Sequence, residues 1–281
     1  MTALRSLMAV MVGVLAVGCS GPTAEPPLAV GATSDVLGRV VAHVYAAALS
    51  SAGTPTQVIV VDDPIEALST GSITVTPGFT GRLLRLFQPA ATARSDKQVY
   101  RMMVAALPEG IAAGDYATAA EDKPALAVAE STAKRWGDND LTGLVRHCST
   151  VSAVGAVTGA RSPTTVGSCR LPKMEEFASD TVLFAALRQG DITAAWTSTA
   201  ATSVPDEVTV LADTPPARVQ AENVVPLYRR HVLAEQQVLP LNQVAGVLDT
   251  AALVEMVQRV DVGTDPRAAA EDWLAEHPLG R

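Results

Sequence analysis

Between residues 28 and 87, segments typical of β-strands alternate with segments typical of helices. The strand-type segments are Leu28–Gly31, TQVIVV from Thr56 and ITVTPGF from Ile73. The first of them is followed by Leu37, Val41 and Val44, whose spacing is that of one helix face. Helices that connect consecutive strands place those strands side by side and parallel. This alternation predicts an α/β fold with helices packed against a largely parallel sheet.

A second unit of similar but smaller pattern begins at Pro124, where PALAVAEST has the character of a strand that runs into a helix. The chain then returns through strand-type pieces and ends in helices that are broken at Gly263 and Pro266. This order predicts two lobes joined by two chain crossings, which form a hinge. The predicted first lobe comprises residues 28–116 and 209–281, the second comprises 117–208, and the crossings lie near 115–124 and 203–212.

Phe79 stands at the turn between the strand ITVTPG and the next helix, in a chain of which only 4% is aromatic. The carboxyl ends of strands in α/β proteins are where small ligands bind. Two interpretations are open at this point. The ring of Phe79 contacts a ligand, or it covers the hydrophobic core below the turn.

The N-terminal segment has the features of an export signal. Arg5 is followed by an apolar run from Leu7 to Val17, which is shorter than the roughly 20 residues of a membrane-spanning helix. Residues 16–19, Ala-Val-Gly-Cys, resemble a lipobox, in which the cysteine is acylated. The sequence therefore predicts a signal peptide over 1–18, a lipid on Cys19 and a tether over 19–27. The alternative is an ordinary signal peptide with a chance cysteine.

The charge of the chain argues against one class of partner. The net charge is −8 at pH 7, and removal of a signal peptide that contains Arg5 would make the chain more acidic still. Proteins that bind nucleic acid carry a basic patch or stripe instead. We expect no nucleic-acid partner, and we expect the lipid to provide the membrane attachment.

If Cys19 carries lipid, Cys148 and Cys169 remain as an even pair in an oxidising compartment. Such a pair favours a structural disulfide. Two free buried thiols, or a metal site, are the alternatives, although no histidine spacing supports a metal.

Catalytic and cofactor motifs are weak in this sequence. Ser131 to Lys134 match S-x-x-K, but the K-T-G and S-D-N companions of that enzyme class are missing. The four histidines have no metal-ligand spacing, and no glycine-rich phosphate loop occurs. We expect a protein that is not an enzyme and that has neither a cofactor nor a metal.

Four segments resemble one family of proteins over roughly residues 28–276. PIEALSTGSITVTPGFTG is similar to the family pattern ALxxGxIDLxPEYTG, and ALRQGDITAAWTST is similar to ALxxGxVDVADxFSTD. VYRMMVAALPEG resembles the segment before the first hinge, and ENVVPLYRRHVL with the helices after it resembles the closing part. On these segments the chain is identified as a divergent substrate-binding lipoprotein of the osmoprotectant ABC importers, which take up glycine betaine, choline or carnitine.

The resemblance implies a fold and a function. The fold is the bilobal, type II periplasmic-binding-protein-like α/β fold, with two lobes and hinge crossings. The function is the capture of a small polar solute between the lobes and its delivery to ABC permease subunits outside the cytoplasm, by a monomer at the cell membrane. In this family a box of aromatic rings holds the quaternary ammonium group through cation–π attraction.

Some of the aromatic positions of the family are also aromatic in this chain. Phe79 occupies the place of the family tyrosine and keeps the ring without the hydroxyl. Trp196 occupies the aromatic place of the second-lobe motif, and Tyr116 lies near the hinge, where another ring is expected. We therefore expect Phe79, Trp196 and Tyr116 to contact the ligand.

Polar contacts to the ligand are expected from Glu222, Asn223 and Ser34. Glu222 stands where the family has a tyrosine or glutamine before Asn223, and Ser34 lies in a first loop that is shorter than in the family. Acidic side chains such as Glu222 would attract a cationic ligand, whereas a carboxylated ligand would need a donor such as Arg161. Because several family positions differ here, a second hypothesis is a binding-protein fold that serves as an envelope interaction or sensing module.

Overall fold

The computed structural model describes residues 26–280, which form two lobes with one five-stranded sheet in each. The strands are β1 (Leu28–Ala32), β2 (Thr56–Val60), β3 (Val75–Phe79), β4 (Ile111–Ala113), β5 (Pro124–Ala129), β6 (Val154–Val157), β7 (Thr165–Val166), β8 (Cys169–Arg170), β9 (Met174–Phe177), β10 (Ala194–Ser198), β11 (Val208–Val210) and β12 (Val224–Arg229). The helices are α1 (Val36–Ser51), α2 (Pro64–Thr70), α3 (Thr80–Phe87), α4 (Asp96–Ala105), α5 (Glu130–Trp136), α6 (Leu141–Arg146), α7 (Asp180–Gln189), α8 (Glu235–Val244), α9 (Thr250–Asp261) and α10 (Pro266–Glu276). The α/β class and the bilobal fold are confirmed.

The first sheet has the order β2-β1-β3-β12-β4. Strand β1 is parallel to β2 and to β3, as the alternation predicted. Strand β12 is antiparallel to both of its neighbours, β3 and β4, because it arrives from the second lobe rather than through a crossover helix. The carboxyl end of β3 therefore meets the amino end of β12 at one edge of the sheet.

Helices cover both faces of this first sheet. Helix α1 begins at Asp35, whose side chain accepts a hydrogen bond from the backbone N–H of Gly38, and its central residues are fully buried. It packs between the sheet and helices α8 to α10, with Tyr45 and Trp273 in the same hydrophobic cluster. Helices α2, α3 and α4 cover the other face. Each fully buried Val or Leu of these layers contributes about 1.5–3 kcal/mol to stability.

The second sheet has the order β11-β5-β10-β6-β9 and is also covered on two sides. Helices α5 and α6 pack with Leu126 and Trp196 on one side, and α7 packs with Ala127 and Ala195 on the other. A disulfide joins Cys148, in a 3-10 turn after α6, to Cys169 in β8, with 5.6 Å between the Cα atoms. The expected pairing of these two cysteines is thus present in the structure.

Two crossing segments, residues 114–123 and 211–223, connect the lobes. They run next to each other, since Asp122 N–H donates to Glu222 O over 3.0 Å and Val224 N–H donates to Ala120 O over 3.0 Å. The second crossing follows β11, later than the expected 203–212, because Val208–Val210 pairs with β5 of the second sheet. The expected lobe boundary at residue 209 falls inside this strand.

The predicted signal peptide, Cys19 and most of the predicted tether lie outside the described residues. Within residues 26–280, none of the helices has the length and the apolar character needed to span a bilayer.

Candidate functional site

A cleft of about 450 Å³ lies between the two lobes. The first lobe lines it with the start of α1, with α3, with α9 and with the end of the second crossing. The second lobe lines it with β6, β10, the loops that follow them and the start of α7. The charged residues of the lining are Asp35, Arg82, Asp122, Arg161, Asp180 and Glu222. A molecule in this cleft contacts both lobes at once.

Glu222 is fully buried at the inner side of this cleft, with 0% of its area exposed. The pairing of β12 with β3 fixes its position, because Val224 lies opposite Phe79. Thr80 N–H donates to Asn223 O over 2.9 Å, and Asn223 N–H donates to Thr80 Oγ1 over 3.0 Å. These bonds hold the Glu222 carboxylate beside the first turns of α3.

Three guanidinium groups surround the Glu222 carboxylate. Arg85 Nη2 donates to Oε1 over 2.8 Å, and Arg82 Nε lies 3.0 Å from Oε2. Arg82 and Arg85 are three residues apart on α3, which places them on one helix face. The third group comes from Arg161 of the second lobe, which forms an ion pair with Oε1. The Arg161–Glu222 pair thus spans the cleft from one lobe to the other.

Burial is the main influence on the ionisation of Glu222. It raises the pKa of this carboxyl to about 7, while the charges of Arg161 and Arg82 favour the ionised form and offset a part of the rise. The carboxyl therefore titrates near neutral pH, which is uncommon for a glutamate. Strongly shifted groups in a cleft are candidates for a functional role.

Arg82 covers the ring of Phe79. Its guanidinium carbon lies 4.2 Å from the ring centroid, which is a cation–π distance, and Arg82 also pairs with Asp122. Phe79 itself is 8% exposed and belongs to the hydrophobic core of the first lobe. The face where a ligand cation was expected is therefore occupied by a cation of the chain itself.

Trp196 borders the cleft but is only 1% exposed. Its neighbours in the hydrophobic core of the second lobe include Trp136 and Leu126. Its indole Nε1 has no hydrogen-bond partner within the described residues. Of the described side chains that line the cleft, Trp196 alone is aromatic. The structure brings Trp196 and Glu222 to the cleft and leaves no open aromatic ring there.

Tyr116 and Ser34 lie apart from the cleft lining. Tyr116 packs against Tyr100 with 4.6 Å between the ring centroids, and its hydroxyl donates to Asp96 over 3.2 Å. Ser34 is exposed in the turn before α1, where its neighbour Asp35 lines the cleft instead.

Asn223 lies on the other side of the crossing segments, in a second cavity of about 590 Å³. Its side-chain amide donates to Ala117 O over 3.0 Å and to Thr118 O over 3.3 Å. These bonds join the two crossings, so Asn223 holds the hinge together.

Several residues of the site were not singled out by the sequence. Arg82 and Arg85 follow Phe79 at helical spacing, and this amphipathic pattern is a signal for a pair of cations on one face of α3. Asp180 begins α7 after the N-cap Ser179, as first-turn acids commonly do. Asp122 lies in a loop without a periodic pattern, and its position depends on the fold.

The charge of the cleft lining is acidic. Four carboxylates, from Asp35, Asp122, Asp180 and Glu222, line it together with the two guanidiniums of Arg82 and Arg161. Arg85 adds a third guanidinium beside Glu222, so the acidic groups exceed the basic ones by one. This excess favours a cation over an anion, and partly buried charges are screened less than surface charges. Within residues 26–280, no group of three or more His, Cys, Asp or Glu side chains could hold a metal ion.

The S-x-x-K segment lies outside the interlobe cleft, at the start of α5. Lys134 Nζ lies 2.7 Å from Glu130 Oε1, so the ammonium group forms an i,i+4 surface ion pair one helical turn away. Ser131 occupies the first turn of the same helix. This segment is thus accounted for by ordinary helix stabilisation.

Comparisons with known proteins agree with the two-lobed fold. Residues 26–276 match the OpuAC family, described as the substrate-binding domain of an ABC-type glycine betaine transport system. The structure of apo YehZ from Escherichia coli superposes with a TM-score of 0.69 at 19% identity, covering 90% of this chain and 99% of that one. A glycine betaine/carnitine/choline ABC transporter protein superposes with a TM-score of 0.71 at 14% identity, covering 89% and 98%. Among curated protein sequences, none matches this chain.

The family model covers nearly all of the described residues, and the solved structures share the two-lobed fold. OpuAC domains bind solutes for ABC importers outside the cytoplasm and are not enzymes. This chain belongs to the OpuAC family of substrate-binding domains of ABC-type glycine betaine transport systems.

Proposed function

We propose that this protein is a lipid-anchored receptor that captures a small cationic solute in the interlobe cleft and delivers it to an ABC permease. Quaternary-amine osmoprotectants are the first candidates, because a solved structure of the same fold is a choline-binding protein in complex with choline. That structure superposes with a TM-score of 0.53 at 16% identity, covering 90% of this chain and 89% of that one.

The observation that carries the proposal is the acidic lining that both lobes supply. Asp35 and Glu222 come from the first lobe and Asp180 from the second, so a cation between them is attracted from two sides. A solute that contacts both lobes stabilises the arrangement in which they are close together. The permease then distinguishes the loaded receptor by the relative position of the lobes.

The membrane attachment is the second part of the proposal. Acylation of Cys19 would anchor the chain, and the residues up to Leu28, where β1 begins, would separate the lobes from the bilayer. Mass spectrometry of the processed N-terminus tests this part independently of ligand binding.

Thermal unfolding of the full chain in a mild detergent tests the capture of a solute. The panel contains choline, glycine betaine, carnitine, polyamines, sugars and anionic amino acids. A ligand at 100 times its dissociation constant adds about 2.7 kcal/mol to the free energy of unfolding. For a chain of this size, that corresponds to a rise in Tm of about 5–10 °C.

A matched pair of variants locates the binding. Asp180→Asn removes an exposed carboxylate from the cleft lining and is expected to weaken the binding of a cation about 2- to 5-fold. Asp191→Asn removes an exposed carboxylate of the same lobe outside the cleft lining and is expected to leave binding unchanged. Capture of a cation in this cleft is refuted if the stabilising compound is a sugar or an anion, or if both variants change binding equally. No response to any compound would favour the interaction-module hypothesis.

A further inference from the structure

The chain places its own guanidinium group where the acidic cleft would receive a cation. Arg161 crosses from the second lobe and pairs with Glu222 Oε1. Glu222 Oε2 lies 3.0 Å from Arg82 Nε but has no aligned hydrogen-bond donor among the described residues. The carboxylate therefore keeps acceptor capacity that the three arginines leave unused.

Of the two arginines in the cleft lining, Arg161 is held less firmly. Arg82 pairs with Glu222 and with Asp122, and it rests on the ring of Phe79. Arg161 has Glu222 as its ion-pair partner among the described residues. It also lies in the loop after β6, two residues beyond Gly159, whose φ of +80° marks a tight turn. An incoming cation thus displaces Arg161 more easily than Arg82.

We infer that Glu222 is the cation subsite of this cleft, that Arg161 competes with the solute for it, and that the preferred solutes are cations with N–H donors. These are protonated primary, secondary or tertiary amines and guanidinium compounds. This inference rests on the proposed function: it keeps the capture of a cation and puts amines with N–H donors before quaternary amines as the first candidates.

Two features favour an N–H donor over a quaternary ammonium group. First, a carboxylate has about four acceptor positions, and a buried acceptor without a partner is unfavourable. Oε1 of Glu222 loses a partner when Arg161 leaves, and a quaternary ammonium group has no N–H to donate to it. Second, the aromatic rings that would hold a quaternary group are not open, because Arg82 covers Phe79 and the core buries Trp196.

The experiment measures, by isothermal titration calorimetry on the full chain in detergent, the affinity of a series that loses N–H donors stepwise. The series is ethanolamine, N-methylethanolamine, N,N-dimethylethanolamine and choline, with agmatine as the guanidinium probe. Ethanolamine is expected to bind about 10-fold or more tightly than choline, because both carry a hydroxyl but only ethanolamine brings N–H donors to the buried carboxylate.

Arg161→Ala removes the competing side chain. If Arg161 occupies the subsite about 90% of the time, its removal is expected to raise the affinity for ethanolamine about 10-fold. Arg161→Lys keeps a cation in place and is expected to show a smaller gain. Glu222→Gln is expected to abolish the preference for N–H donors. Arg188→Ala, which removes an arginine that pairs with Glu207 outside the cleft, is the matched control without an effect. Far-UV circular dichroism checks that each variant is folded.

The outcomes separate this inference from the proposed function. If choline binds as tightly as ethanolamine, or if Arg161→Ala leaves all affinities unchanged, the inference is overturned while cation capture stands. If no cation binds to the wild-type chain or to Arg161→Ala, the proposed function fails and the inference fails with it.

Discussion

The pH dependence of stability is the most direct test of how Glu222 is held. Its pKa is raised from 4.5 to about 7 in the folded chain, mainly by burial. Below about pH 4.5, the carboxyl is protonated in the folded and in the unfolded state. As the pH rises from there to about 7, the unfolded chain releases this proton while the folded chain retains it. The stabilising contribution of the protonated carboxyl is therefore lost as the pH rises.

The size of this effect follows from the two pKa values. Between pH 5 and pH 8, a glutamate whose pKa rises from 4.5 to about 7 on folding lowers the free energy of unfolding by about 2–3 kcal/mol. Glu222→Gln removes the titration and keeps the shape of the side chain. Burial lowers the pKa of His43, so this residue makes the fold more stable as the pH rises. The contribution is the same in the wild type and in Glu222→Gln, and it cancels in the difference between their free energies of unfolding.

The assay is urea unfolding, followed by tryptophan fluorescence, of the wild-type chain and of Glu222→Gln at pH 5, 6, 7 and 8. The wild-type stability relative to the variant is expected to fall as the pH rises. Glu109→Gln, at an exposed position, is the control and is expected to follow the wild type. If the wild type instead gains stability over Glu222→Gln with rising pH, the three arginines outweigh burial, and the reasoning from burial is wrong.

Three further predictions concern the disulfide, the covered ring and the packing of the second sheet. Replacement of Cys148 and Cys169 by serine is expected to lower the free energy of unfolding by about 3 kcal/mol, because the disulfide closes a loop of 21 residues. Equal urea denaturation curves for the wild type and the double variant would contradict this. Arg82→Gln uncovers the ring of Phe79 and is expected to raise the affinity for choline about 2- to 5-fold, relative to ethanolamine, in calorimetric titrations. Gly155→Ala places a methyl group about 2.6 Å from Phe177 and is expected to lower the free energy of unfolding by about 1–3 kcal/mol. The measurement is the shift of the urea midpoint, and an unchanged midpoint would show that the neighbouring side chains move aside without cost.

The sequence predicts those parts of the site that local pattern determines. The alternation of strands and helices places Phe79 at the end of β3, and the position of Glu222 follows from its place two residues before the closing strand β12. The end of β3 and the start of β12 are neighbours, and the pairing of these strands leaves both residues little freedom. The pattern also predicts a second lobe, and the family resemblance adds the cleft between the lobes as the place of the ligand.

The contacts inside the cleft could not be predicted in this way. Arg161 lies in an irregular loop and meets Glu222 across 61 positions of the chain, a contact for which no periodicity exists. The orientation of Arg82 depends on acids from the two crossing segments rather than on α3 itself. Tyr116 was expected at the ligand, but its ring packs against Tyr100 because this pairing buries two aromatic surfaces beside α4.

The two adjacent crossing segments give Glu222 an unusual mechanical position. The carboxylate belongs to residue 222 of one crossing, and the peptide group of this residue is hydrogen-bonded to Asp122 of the other. A rotation of one sheet against the other about this ribbon moves atoms in proportion to their distance from it. Atoms near Glu222 then travel little, whereas the outer rims of the lobes travel far. A contact formed near this ribbon would therefore produce, through the length of each sheet, a large displacement at the outer rims of the lobes.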